Sequence, residues 1–175
     1  WNDISGNGYH ATVVGSVVRD TATVRQGAAS AKLDWGYLSL PNMTANFGGQ
    51  AATLNLWVKL FHAPVNDTDT GIESTGDWEH VRPYPASHYP WTDGKGYFST
   101  FRGADRVSSV ALGLDTTQWH MLTITTAPGA GNYNIYENGS LIYSGVNGDF
   151  HLLTNPLLGA SRRDDGMPAY FSSML

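Results

Sequence analysis

The chain is 175 residues long, with 41% hydrophobic, 12% aromatic and 14% charged residues, a formal net charge of −5 and no cysteine. That length fits one domain with a core of its own, and so many aromatics with so little charge exclude a disordered tail. Ten basic against fifteen acidic residues leave no footprint for phosphate backbones, so nucleic acid is not an expected partner, and the absence of cysteine removes disulfides, thiolate nucleophiles and Cys–zinc sites.

The chain opens on Asn2-Asp3-Ile4-Ser5-Gly6-Asn7-Gly8, a turn by composition. A β-rich run follows from Ala11 to Arg19, with valines at 13, 14, 17 and 18. Ser30 to Asp34 and Tyr37 to Leu40 alternate with period two and are predicted as a pair of strands closed by Pro41-Asn42. The clearest strand is Ala52 to Leu60. Leu54, Leu56, Val58 and Leu60 fall on one face, and Thr53, Asn55, Trp57 and Lys59 on the other.

Residues 61–95 read as a long irregular excursion holding four of the eight prolines, three of the six histidines and two tryptophans. Connections of this length are uncommon and often functional. Strand patterns return at Gly96 to Arg102, at Arg106 to Leu112 and at Trp119 to Thr125. The last is predicted to pair with Asn132 to Tyr136. Asn138-Gly139 is the preferred centre of a type I′ hairpin, because both residues tolerate positive φ. Leu141 to Tyr143 is its return strand, and shorter strands are predicted at Pro156 to Gly159 and from Tyr170. With three glutamates, three lysines and 20 glycines, no helix of normal length is visible. About ten strands with turns every 8–12 residues predict an all-β, two-sheet antiparallel sandwich or barrel. No apolar run approaches the roughly 18 residues of a membrane span, so membrane insertion is not expected.

Five pieces of the sequence carry a family likeness. They are Asp3-Ile4-Ser5-Gly6-Asn7-Gly8-Tyr9-His10-Ala11, Leu54-Asn55-Leu56-Trp57-Val58-Lys59, Gln118-Trp119-His120, Tyr136-Glu137-Asn138-Gly139 and Leu157-Leu158-Gly159-Ala160. In this order they resemble the LamG-like, concanavalin A-like jelly rolls of the bacterial or phage type. The resemblance covers nearly the whole chain and implies a single jelly-roll β-sandwich domain over residues 1–175. Members of that family usually have a further strand ahead of the opening turn and another at the end. The resemblance therefore implies a piece of a longer protein, with a sheet edge left open where those strands would pair.

Two constellations could carry function. Asp3 and Asn7 offer a carboxylate and an amide oxygen in the opening turn, where such relatives often hold calcium with help from a later acidic residue. Calcium takes six to eight oxygens. The alternative is an Asx-rich turn held by its own hydrogen bonds. The densest cluster runs from His88 through Trp91, Asp93, Tyr97 and Arg102 to Arg106, with Trp78 extending it. Stacking aromatics with a few fixed polar groups suit a sugar, whose C–H face meets the ring while its hydroxyls bond the polar groups. The same residues also suit a clamp locking a long loop onto the sandwich.

Catalysis has weaker signals. Glycosidases on this sandwich use E-x-D-x-E on a strand, which is not present. Glu73, Asp77 and Glu79 come nearest and read as surface carboxylates. A lyase set of Tyr, His and Arg occurs in the 88–106 stretch without a fixed spacing. His62, His80 and His88 are too scattered for zinc, and Arg162 to Gly166 reads as a solvated turn. The expectation is a non-catalytic module that binds carbohydrate or another surface ligand, with calcium as the one candidate cofactor. Its setting would be a larger secreted, cell-surface or viral-particle protein, hence extracellular. The rivals are a glycosidase or polysaccharide lyase acting through residues 73–106, and a structural spacer or adhesion domain with no small ligand.

Overall fold

The computed structural model describes residues 1–43, 51–59, 72–73, 86–88, 95–99, 106–111, 117–127, 133–145, 157–162, 168–170 and 173–174. No helix occurs among them. The strands are β1 (Thr12–Asp20), β2 (Ser30–Ser39), β3 (Ala52–Val58), β4 (Ile72–Glu73), β5 (Ala86–His88), β6 (Lys95–Ser99) and β7 (Arg106–Ala111). They continue with β8 (His120–Thr126), β9 (Tyr133–Glu137), β10 (Ser140–Gly145), β11 (Leu157–Leu158), β12 (Ala160–Arg162), β13 (Pro168–Tyr170) and β14 (Ser173–Met174).

All pairings are antiparallel. The larger sheet runs β1-β2-β11-β4-β5-β6-β7, with β14 also against β2, and the smaller runs β10-β9-β8-β3. β12 and β13 form a separate ribbon. The two-sheet antiparallel sandwich predicted from period two is therefore the fold.

The smaller sheet shows why the alternating sequence works. β3 pairs with β8 without a register shift, from Ala52↔Thr126 to Val58↔His120. Its apolar rows contain Leu122, Ile124 and Ile135, all buried, while Thr53 and Asn55 on the alternate positions are exposed. The same rows continue across the gap. Val58 joins Leu33 and Leu38 of the larger sheet in one buried cluster, against which Leu56, Val17, Ala31 and Leu158 pack. Period two alternates the faces of a strand, so Tyr37 and Leu157 fall on the opposite face and form a second cluster with Val14. Burying each of these large side chains contributes about 1.5–3 kcal/mol.

Two polar side chains occupy core rows of the smaller sheet. His120 stands opposite Val58, and Glu137 opposite Leu122. Glu137 Oε1 lies 3.1 Å from His120 Nδ1, so each meets the other's need where water is scarce. Asn138 and Gly139 turn the β9–β10 hairpin at φ 50° and 83°, as Asn-Gly predicts. The Asn138 N–H donates to the Met121 carbonyl at 2.9 Å, and its Oδ1 accepts the Met121 N–H at 2.9 Å. The hairpin is thereby tied to β8.

Two predictions need correction. Ser30 to Leu40 is one strand rather than a pair, and it pairs with β1 across a bulge. Gly15 faces Gly36 and Val17 faces Leu33, so Asp34 and Trp35 together oppose Ser16. Trp35 absorbs the extra residue in the left-handed region, at φ 58°. Such a backbone costs a non-glycine residue about 1–2 kcal/mol. Two glycines make room for it. A Cβ at Gly36 would stand 2.5 Å from the Ser16 backbone, and one at Gly15 2.5 Å from the Trp35 carbonyl oxygen. The second correction concerns the excursion at 61–95. It contributes β4 and β5 to the middle of the larger sheet, so it is not irregular throughout. Strands of two and three residues are too short to show a period.

Candidate functional site

β5, β6 and β7 gather part of the predicted ligand cluster. His88 is directly opposite Tyr97, and Tyr97 directly opposite Ser109. Directly opposed positions bring Cβ atoms to about 5 Å, and diagonal ones to about 7–8 Å. Arg106 is opposite Ser99, two positions along from Tyr97, and the register slips between Phe98 and Ser99. Three residues drawn from 19 positions of sequence thus meet on three adjacent strands. Trp78, Trp91, Asp93 and Arg102 lie outside the described residues.

Glu73 sits in β4, opposite Leu157 on one side and Ala86 on the other. Asp77 and Glu79 lie outside the described residues, as do His62, His80 and most of the Arg162 to Gly166 turn.

The opening turn is built around one carboxylate. Asp3 Oδ1 accepts the Ser5 N–H at 2.8 Å, and Oδ2 accepts the Ser5 hydroxyl at 2.7 Å and the Tyr9 N–H at 3.0 Å. The Asp3 N–H donates to His10 Nδ1 at 3.0 Å. These bonds, led by the Ser5 N–H, hold the Asp3 carboxyl down at about 2. Asn7 donates its side-chain amide to the Ser5 hydroxyl at 3.0 Å. A carboxylate offers about four lone-pair positions, and three of Asp3's are engaged. The turn therefore presents little of a calcium shell by itself. Among the described residues no group of three or more His, Asp or Glu side chains could hold a metal ion.

Two aromatic residues complete the inventory. Trp57, on the solvent side of β3, carries the Arg25 guanidinium 4.1 Å from its ring centroid. That cation–π contact pins the β1–β2 connection to the smaller sheet. Trp35 is 64% exposed at the bulge. It was not among the predicted ligand residues. The signal was the lone glycine inside a strand pattern, Gly36, which marks a bulge.

The sandwich with these strand pairings places the molecule in a known class. The chain belongs to the concanavalin A-like lectin/glucanases superfamily, whose Laminin_G_3 family matches residues 34–175. No curated protein sequence matches it. Among solved structures, domain 4 of AbnA, an extracellular GH43 arabinanase of Geobacillus stearothermophilus held in complex with arabinotriose, superposes with a TM-score of 0.64 at 19% identity, over 89% of this chain and 76% of that one. The receptor-binding domain of botulinum neurotoxin mosaic serotype C/D aligns with a TM-score of 0.63 at 16% identity, over 90% of this chain and 39% of that one. A structure of botulinum neurotoxin type C, whose cell entry depends on two ganglioside molecules, aligns at 0.56 and 14%, over 90% and 39%. At these identities the likeness shows the fold. Among the described residues no helix is long and apolar enough to cross a membrane.

Proposed function

We propose that the domain is a non-catalytic carbohydrate-binding module of a larger extracellular protein, and that His88, Trp91, Asp93, Tyr97, Arg102 and Arg106 supply its principal contacts, with Trp78 at the margin. The observation that carries this reading is the meeting of His88, Tyr97 and Arg106 on β5, β6 and β7. Aromatic, imidazole and guanidinium residues on neighbouring strands of one sheet offer a ring for stacking and donors for hydroxyls. A rigid sheet holds them, which limits the ordering lost on binding. Structural neighbours that engage arabinotriose and gangliosides support the sugar class.

The test is calorimetry of the chain against arabinotriose, cellotetraose and sialyllactose, alongside a glycan array. Binding that Tyr97→Ala and Arg106→Ala each weaken about tenfold, with the fold intact, supports the reading. Sugar binding that both variants retain within twofold moves the site elsewhere, and no binding to any glycan rejects the module. Calcium at Asp3 and Asn7 is a proposal of the same rank. The two side chains supply part of a shell, and a further acidic ligand would complete it. A calcium heat abolished by Asp3→Ala supports it. No heat, with an unchanged melting temperature after chelation, counts against it.

A further inference from the structure

We infer that Trp35 is an aromatic platform on which one ring of a saccharide ligand stacks, a contact separate from the 88–106 stretch and set on the β1–β2 bulge. The inference rests on the carbohydrate reading above.

Three observations converge on this residue. First, Trp35 is 64% exposed, against 38% for Trp1, the other exposed aromatic among the described residues. A ring system of this size gains most from burial, so the folded chain has no packing reason to spend it here. Second, its backbone is left-handed, at φ 58°, a conformation glycine takes without strain. Neither core nor backbone selects tryptophan at this position, and side chains kept under strain point to function. Third, the mount is stiff. Gly15 and Gly36 bring the two strands so close that a Cβ at either would stand 2.5 Å from backbone atoms. A ring fixed on a paired strand loses little freedom when it stacks.

The position also fits an extended ligand. The row Leu38–Leu158–Ile72–Ser87–Phe98 runs unbroken from β2 to β6. Trp35 and His88 therefore ride on one continuous sheet, three strand steps apart across it and two residues apart along it, or roughly 16 Å at the usual spacings. The indole would meet the C–H face of a pyranose or furanose ring, leaving hydrogen bonding to the other end.

The decisive variant is Trp35→Gly, because it removes the ring and relieves the backbone at once, so the fold survives. The probes are arabinotriose, cellotetraose and sialyllactose, titrated by calorimetry against wild type, Trp35→Gly and Trp35→Phe, with urea midpoints for each. Expected is a loss of about tenfold in affinity for Trp35→Gly and no more than about threefold for Trp35→Phe, which keeps a ring. If wild type binds a probe and Trp35→Gly binds it within twofold, the platform is overturned while the carbohydrate reading stands. If wild type binds no probe, that reading fails and the platform with it. If Trp35→Gly leaves sugar affinity unchanged but converts a dimer to monomer in sedimentation, the ring is a self-association surface and the inference is wrong.

Discussion

Trp35 and Asn138 are the two non-glycine residues with positive φ among the described residues, at 58° and 50°. Their surroundings differ. Asn138 stands at a hairpin tip, next to a glycine that also turns left-handed. Its side chain and backbone both bond Met121, so the turn returns the strain it imposes. Trp35 stands inside a strand, and its indole cannot bond the local backbone as an asparagine amide does. What holds it is the ladder on either side and the room left by Gly15 and Gly36. At the hairpin the residue makes the conformation. At the bulge the surroundings impose it.

If that distinction is right, the hairpin should depend on its core and the bulge on its glycines. The largest effect is expected at Ile135, which has no exposed surface and sits on β9 just before the turn. Ile135→Ala should lower stability by about 3–4 kcal/mol, read as a shifted urea midpoint. A loss below about 1 kcal/mol would mean that Ile135 is not packed into the core of the smaller sheet as its burial indicates. Gly36→Ala should come next, at about 2–3 kcal/mol, because the added methyl meets backbone rather than a side chain that could move aside. A neutral Gly36→Ala would show that the bulge can slip its register, and the contrast with the hairpin would dissolve.

Asn138→Ala should cost about 1–2 kcal/mol, combining left-handed strain with the lost acceptor for the Met121 N–H. Trp35→Gly should do the opposite and leave stability unchanged or higher by up to about 1 kcal/mol. Opposite signs at two residues of the same backbone class would sharpen the comparison most. Equal losses would break it, since they would show that the Trp35 ring contributes to packing as Asn138 does to its turn.

The same contrast explains what the sequence made legible. Asn-Gly between β runs announces its turn because both residues report on φ directly. The alternation of Leu54, Leu56 and Val58 announces which face meets the other sheet. Tryptophan carries no such message, and Trp35-Gly36 inside one strand read as a break between two. β4 and β5 escaped because pairing with distant strands, not local pattern, makes them strands at all. For the candidate site the residue types were legible and the register was not. That His88 lies opposite Tyr97 depends on how β5 and β6 align, which no spacing along the chain encodes.

The smallest effect should come from the opening turn, where stability depends on one charge. Asp3 is held down at about 2 by hydrogen bonds from the Ser5 N–H, the Ser5 hydroxyl and the Tyr9 N–H. Asp20 is likewise lowered, through the Ala22 and then the Thr23 N–H. A carboxyl whose folded value lies below its unfolded one stabilises the fold above the unfolded value and loses that contribution as pH falls through the folded one. For Asp3 the window runs from the ordinary value of 3.8 down to about 2. Asp3→Asn keeps an oxygen for the Ser5 N–H but cannot titrate. Its urea midpoint should therefore fall below that of wild type at pH 6 and converge with it between pH 4 and pH 2. Because the turn is exposed and screened, the gap should be small. Carboxyl NMR gives the sharper reading, with a midpoint near 2 for Asp3. A midpoint near 3.8 would mean that the three hydrogen bonds do not persist in solution, and the turn would be a loose loop rather than a carboxylate-centred knot.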